Sequence, residues 1–239
     1  MKKVAVWGDS ILKGAVTGLN PDHLFDIIED NSLALAEKSL GFELYNDSVF
    51  GSIITKSQRR MNRFFEKGEK CDIAIIESGG NDSDYDWISM CNNPVEISSP
   101  RVPLSDFMRI IDEMVQTART NGAVPVLMTM PRLVADRWFT HITRGLDENI
   151  IRKFLGGESG NVESDTRAAI DRLSVNHEIY NLNIIEYANA NNVFLVDMRK
   201  SLLETRDYRA LMCLDGIHPN TEGYKFMATV WGKELPKVL

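Results

Sequence analysis

Val4-Ala5-Val6-Trp7-Gly8-Asp9-Ser10 begins with four apolar residues and ends on a Gly-Asp turn. A secretory signal core needs roughly 7–15 apolar residues, so this stretch reads instead as a short first strand, residues 4–7. The same pattern recurs along the chain. Residues 42–45, Ile73–Ile76, 124–130 and 193–196 are four more strand-like runs. Ile73–Ile76 is apolar throughout, as expected for a strand covered on both faces. Helical patterns lie between them. Residues 26–40 put Ile27, Ile28, Leu33, Leu35, Ala36 and Leu40 roughly on one face and stop at Gly41. Residues 55–66 are helical, with Gly68 beyond their end. Ser105 is placed to cap a helix reaching about Thr120, with Ile110, Ile111, Met114, Val115 and Ala118 turned inward. Residues 165–189 form a long helical stretch, and residues 221–235 form the last helix, capped by Asn220 or Thr221. Strands alternating with helical crossovers predict the α/β class, with a central five-stranded parallel sheet and helices on both faces. In such sheets ligands bind at the carboxyl ends of the strands.

Two segments depart from this alternation. Residues 83–103 are polar, contain Pro94, Pro100 and Pro103, and read as a long loop beside Asn81. Residues 131–164 hold Trp138, Phe139, His141 and Gly156-Gly157-Glu158-Ser159-Gly160. Both are read as rim elements that shape a pocket, with surface decoration as the alternative. There is no internal repeat and no second core-sized region, so residues 1–239 are expected to form one domain with a rim or lid insertion at about 131–164.

Bulk properties narrow the function. Acidic and basic residues are interleaved, so the net charge of −7 points to solubility rather than a binding surface. No Lys/Arg cluster marks a nucleic-acid footprint, and no apolar run approaches the ~20 residues of a membrane span. Cys71, Cys91 and Cys213 show no C-x-x-C spacing and fit reduced thiols in a cytoplasmic protein.

Four short blocks carry chemistry. Gly8-Asp9-Ser10 ends the first strand, Gly51 follows the second, Gly79-Gly80-Asn81-Asp82 ends the third, and Asp215-Gly216-Ile217-His218-Pro219 precedes the last helix. Three of the four fall at the sheet's carboxyl edge. A serine hydroxyl is a weak nucleophile until a base takes its proton. Ser10 is the candidate nucleophile, although a helix cap is an equally natural use of a serine there. His218 is the candidate base. Asp215, three residues earlier, can reach its imidazole and fix the tautomer. The backbone N–H groups of Ser10 and Gly51 and the Asn81 amide could converge on a developing oxyanion. Gly51 has no Cβ and lets its N–H approach a ligand closely. A plain loop glycine and an Asx-turn asparagine are the alternatives for Gly51 and Asn81. Asp82 reads as a brace for its turn, and Asp9 as a cap for the following helix.

Together these blocks resemble those of the SGNH (GDSL) hydrolase family, in order and spacing from residue 4 to about 235. The resemblance implies a three-layer α/β/α sandwich of flavodoxin-like type and a metal-independent, cofactor-free esterase working through an acyl-enzyme. It implies Ser10 as nucleophile, His218 as base, Asp215 as its partner, and Ser10, Gly51 and Asn81 as oxyanion donors. The expected partner is a small-molecule ester of small or medium acyl size, such as an acetylated carbohydrate, with a lysophospholipase or thioesterase activity as the alternative. Trp87 and Trp138 are candidate substrate-stacking residues. Arg132, Arg137 and Arg144 could meet an anionic group, but Asp136, Asp147 and Glu148 nearby make a solvated mixed-charge surface the safer reading. His23, His141 and His177 read as structural or surface, with His141 the best placed of them to line a pocket. A metal-dependent phosphatase-like enzyme would need further acidic residues around a cation. A non-catalytic binding protein is the other contrasting class.

Overall fold

The computed structural model describes residues 1–18, 23–93 and 99–239. In chain order the elements are β1 (Lys3–Trp7), α1 (Ser10–Lys13), β2 (Ala15–Val16), β3 (Asp26–Ile27), α2 (Ser32–Leu40), β4 (Glu43–Asn46), α3 (Ile54–Glu66), β5 (Ile73–Ile76), α4 (Trp87–Asn92), α5 (Leu104–Thr120), β6 (Val124–Met128), α6 (Ala135–Ile142), α7 (Glu148–Phe154), α8 (Val162–Ala190), β7 (Phe194–Val196), α9 (Met198–Leu203) and α10 (Thr221–Glu234).

The main sheet has five strands in the order β4-β1-β5-β6-β7, all parallel. Counting only its own strands, the order is second, first, third, fourth, fifth, the doubly wound flavodoxin-like arrangement. Side chains alternate across it as the pleat demands. Ala5, Trp7, Ala74, Ile76 and Leu127 face α3, α5 and the C-terminal half of α8. Val4, Val6, Ile73, Ile75, Val126 and Met128 face α1, α2 and α10. The three-layer α/β/α sandwich follows from these two apolar faces. Trp7 and Trp231 are fully buried, one in each layer.

Three boundaries differ from the periodicity reading. The helix expected over residues 26–40 starts at Ser32, because the Asn31 side chain accepts from Leu33 N and Ala34 N and caps it there. Residues 26–27 pair instead with Ala15–Val16 in a two-stranded antiparallel ribbon. Ser105 is no cap, since α5 already begins at Leu104, behind Pro103. The 83–103 segment is not wholly loop, because it contains α4; Pro94 lies outside the described residues.

The 131–164 segment is also largely helical. It supplies α6 and α7, which pack with α4 and the N-terminal half of α8 around a third apolar cluster that includes Trp87, Phe139, Ile151 and Leu173. The 29-residue α8 therefore spans two environments, the rim at its start and the sheet at its end. Between them Glu178 accepts from Arg132 Nη1 at 2.7 Å and from Arg199 Nε, tying α8 to the chain leaving β6 and to α9. Burial pushes the Glu178 carboxyl up, but the neighbouring His177 and the two guanidinium groups outweigh it and hold it down at about 2.

A depressed carboxylate contributes stability above its unfolded value that is lost as pH falls through its folded value. Glu178→Gln should therefore lower stability at neutral pH by roughly 1–3 kcal/mol. The gap to wild type should close as pH falls from the unfolded carboxyl range, near 4.5, toward about 2. Thermal melts followed by circular dichroism at stepped pH measure this. A gap that stays constant with pH would show that the Glu178 charge is not what joins these elements.

Candidate active site

Ser10 stands where β1 ends and α1 begins. Asp9 caps that helix, its Oδ1 accepting from Ile11 N at 2.9 Å. The helix-cap alternative for Ser10 therefore falls to its neighbour, and the Ser10 hydroxyl is left to partner His218. Ser10 Oγ lies 2.8 Å from His218 Nε2, and His218 Nδ1 lies 2.6 Å from Asp215 Oδ2. The other Asp215 oxygen accepts from the backbone N–H of Ile217 at 3.0 Å and of His218 at 3.1 Å. Burial alone would raise the Asp215 carboxyl, but the hydrogen bond and charge of His218 and these two N–H groups bring it below its ordinary value. It stays ionised and holds the imidazole by one ring nitrogen.

The loop carrying Asp215 and His218 is held from several sides. Cys213 N donates to His218 O and Asn220 N to Leu211 O, closing the loop on itself. Arg137 Nη1 donates to the carbonyls of Arg209, Met212 and Cys213, at 3.0, 3.0 and 3.2 Å. Arg137 is thus spent on main chain rather than on solvent or an anionic substrate; Arg132 is likewise committed, to Glu178. Gly216 turns the loop with φ +81, and its carbonyl accepts from Val134 N.

Ser10, Gly51 and Asn81 all line one cavity of about 370 Å³, together with Asp215 and His218. Gly51 has φ +66 and follows Phe50. Phe50 stacks on Phe25 with centroids 3.7 Å apart and on the His218 ring at 5.7 Å. The Asn81 Nδ2 donates to Asp9 Oδ2 at 3.1 Å and to Ser52 O at 3.2 Å. Asp82 accepts from Gly79 N at 3.0 Å and from Ile54 N at 2.8 Å, so it braces its own turn and also caps α3, whose first residues offer no side-chain cap. Burial raises its carboxyl to about 7.

Farther from Ser10 the cavity is lined by Asp84, Arg101, Asn176 and His177. Arg101 Nε donates to Tyr85 O at 3.2 Å, and burial pushes the Asp84 carboxyl up to about 6. Trp138 lines the cavity, stacked on His141 at 5.2 Å. Trp87 does not line it. Its ring is buried against Tyr85 and Phe154, and its Nε1 donates to Asp84 Oδ1 at 2.9 Å. Trp87 therefore supports a lining residue and has no ring face to offer a substrate. His177, read as structural or surface, also reaches the cavity.

Among the described residues no group of three or more His, Cys, Asp or Glu side chains is placed to hold a metal ion. No described helix is long and apolar enough to cross a membrane. Sequence reasoning missed Arg137 as the clamp of the histidine loop and gave Asp9 no part in holding Asn81. Both act over 70 residues or more, and local pattern carries no signal of that.

The sequence matches the model of the GDSL-like lipase/acylhydrolase family over residues 6–226. No curated protein matches the chain. Solved structures similar to it include a lipase/acylhydrolase from Enterococcus faecalis, 16% identical, with a TM-score of 0.63 over 99% of this chain and 96% of that one. A putative lipolytic protein of the G-D-S-L family from Desulfitobacterium hafniense is 18% identical, with a TM-score of 0.60 over the whole of both chains. A catalytic mutant of an acetylxylan esterase from Geobacillus stearothermophilus is 17% identical, with a TM-score of 0.63 over 98% of this chain and 94% of that one. At these identities the likeness is one of fold.

A Cβ on Gly216 would lie 2.4 Å from Val134 O and 2.8 Å from Arg137 Cβ, at a φ that L side chains rarely adopt. Gly216→Ala should lower the unfolding free energy by about 1–3 kcal/mol. A urea titration reads it. A neutral result would mean that the loop can move without loss.

Proposed function

This chain belongs to the GDSL-like lipase/acylhydrolase family, whose members are serine hydrolases acting on esters, and we propose that Ser10, His218 and Asp215 are its catalytic triad. The observation that carries this is the continuous hydrogen-bonded chain from the Ser10 hydroxyl through both nitrogens of His218 to Asp215, 2.8 Å and 2.6 Å. Neutral His218 takes the Ser10 proton as Oγ attacks the ester carbonyl. The imidazolium, stabilised by ionised Asp215, returns that proton to the leaving alcohol. An acyl-Ser10 remains, and His218 then activates water to release the acid.

Charge on the carbonyl oxygen is met by the N–H of Ser10, the N–H of Gly51 and the Asn81 amide. In the free enzyme the Asn81 hydrogens are directed to Asp9 and Ser52 O. A small turn of the amide that keeps the bond to Asp9 would redirect the hydrogen that Ser52 O accepts. Apo hydrogen bonds commonly tighten or shift in this way when substrate binds.

The substrate is a small or medium acyl ester, and an acetylated carbohydrate is the first choice. Arg101, Asp84, Asn176 and His177 offer hydroxyl groups several donors and acceptors, and Trp138 presents an aromatic face. The acetylxylan esterase among the structural neighbours is in line with this choice. The Phe25–Phe50 stack at the cavity mouth favours the second reading, a longer-chain ester or thioester as in lysophospholipases and thioesterases.

Ser10→Ala and His218→Ala should each abolish hydrolysis of p-nitrophenyl acetate with the fold intact. Asn81→Ala should lower kcat about 100- to 1000-fold with little change in KM. If Asn81→Ala raised KM alone, its oxyanion role would be lost. Activity on p-nitrophenyl acetate against the decanoate separates the two substrate readings; a strong preference for the decanoate refutes the short-chain choice.

A further inference from the structure

Two buried acidic residues meet next to the nucleophile's turn, Asp9 and Glu77, and the triad uses neither. Glu77 ends up fully buried one residue past β5, and Asp9 is 1% exposed. Glu77 Oε2 accepts from Asp9 N at 3.0 Å. It lies 2.9 Å from the point a Cβ would occupy on Gly8, and Ser48 Oγ lies 3.0 Å from the same point. Glu77 Oε1 is buried with no hydrogen-bond partner, as are the hydroxyls of Ser48 and Ser78. Asp9 is differently placed. Its Oδ1 accepts from Ile11 N and its Oδ2 from Asn81.

We propose that Glu77 is a positioning residue of the esterase site, a neutral acid that shares one proton with Asp9 and so holds the Asp9 carboxylate, and through it the Asn81 amide, at the oxyanion position. The proposal rests on the function proposed above for Asn81. Two adjacent buried carboxyls cannot both ionise, and the proton settles on the one with fewer donors. Asp9 has Ile11 N–H and Asn81 to stabilise its charge. Glu77 has only the Asp9 N–H. Burial, then the charge of Asp9, pushes Glu77 far above the usual carboxyl range, and Asp82 adds to this. Burial raises Asp9 as well, but the Ile11 N–H, the charge of His218, the neighbouring Glu77 and the Asn81 amide each oppose that rise.

The other groups facing the pair are accounted for. Asp82 follows β5 and is itself held up near 7 by burial. The Tyr224 hydroxyl, from α10, is committed to Ala15 O at 2.8 Å. Arg60, from α3, spends its guanidinium on the carbonyls of Gly8 and Asp47 and the hydroxyls of Ser52 and Ser57, with the Asp47 carboxylate 3.7 Å away. A second full negative charge on Glu77 would therefore stand unopposed near the developing oxyanion. A neutral Glu77 keeps the hydrogen bond and removes the repulsion.

The test compares wild type with Glu77→Gln and Glu77→Leu, using p-nitrophenyl acetate kinetics across pH and infrared difference spectroscopy of the unliganded proteins, with Ser10→Ala as control. Glutamine reproduces a neutral donor. Glu77→Gln should keep kcat at neutral pH within about threefold, and kcat of wild type should fall on the alkaline side where that of Glu77→Gln does not. Glu77→Leu should lower kcat by about ten- to a hundredfold, less than loss of the Asn81 donor itself, with KM little changed. The wild-type minus Glu77→Gln infrared difference spectrum at neutral pH should hold a protonated-carboxyl C=O band, the contribution of Asp82 cancelling because both proteins carry it.

A folded Glu77→Gln protein that loses as much kcat as Glu77→Leu overturns the proposal, as does a wild-type minus Glu77→Gln difference spectrum with no protonated-carboxyl band. If Glu77→Leu does not fold, the glutamine variant and the infrared band decide alone. Hydrolysis undiminished in Ser10→Ala would sink the triad reading instead, and the infrared band would still report whether Glu77 holds the proton.

Discussion

The hydrogen bond between Ser10 Oγ and His218 Nε2 spans 2.8 Å in space and 208 residues in sequence, and the parallel sheet is what closes that gap. Parallel strands all point their carboxyl ends to one edge, so the turns after β1, β4 and β5 arrive there together. The histidine loop arrives from α9 rather than directly from a strand. It needs its own constraints: the Arg137 clamp, the Gly216 turn and the contact of its carbonyl with Val134. Arg137 and Val134 both belong to the segment after β6. The chain that walls the pocket therefore also fixes the position of the base.

The electrostatics of the site divide into two halves. On the base side, Asp215 is held below its ordinary value by donors, so it remains a carboxylate able to support an imidazolium. On the proposed oxyanion side, Asp9, Glu77 and Asp82 are all raised, with burial the largest cause for each. Five residues apart in sequence, Glu77 and Asp82 bracket the Gly79-Gly80-Asn81 turn, and both bear on the position of the Asn81 amide. Asp82 does so through backbone N–H groups, and Glu77, in the role proposed for it, through Asp9. Carboxyls held up by burial suit this side, because a reaction that builds negative charge is opposed by each full charge already there.

How far these features were legible follows from the range over which each is determined. The strands were legible because a fully buried strand leaves a continuous apolar run, as Ile73–Ile76 does. Ser10, Asp215 and His218 were legible as residue types at the sheet edge and before the last helix. The β2–β3 ribbon was not, since two-residue strands have no period to detect. The helices α6 and α7 were hidden because their apolar faces turn toward a satellite cluster rather than the sheet. Trp87 was misjudged because a tryptophan between polar residues suggests exposure, whereas Tyr85 and Phe154 enclose it. Asp9 looked like a simple cap because only its contact to Ile11 is local; those to Glu77 and Asn81 cross 68 and 72 residues.

The third apolar cluster gives the molecule a division of labour. Ser10, Asn81 and the oxyanion-side acids stand on turns anchored in the two sheet-facing cores, where packing is fixed by strands buried on both sides. The far end of the cavity stands on α4, α6, α7 and the start of α8, which have a core of their own. Substitutions in that satellite core reach Leu133, Leu173 and Trp138 without passing through the sheet. They can reshape what the pocket admits while the Ser10–His218 distance is kept by elements they do not touch. The exception is Arg137, which lies on α6 yet grips the histidine loop. Any change that tilts α6 moves both the pocket wall and the base. Of the helices that form the rim, α6 is therefore the one on which substrate fit and proton transfer depend together.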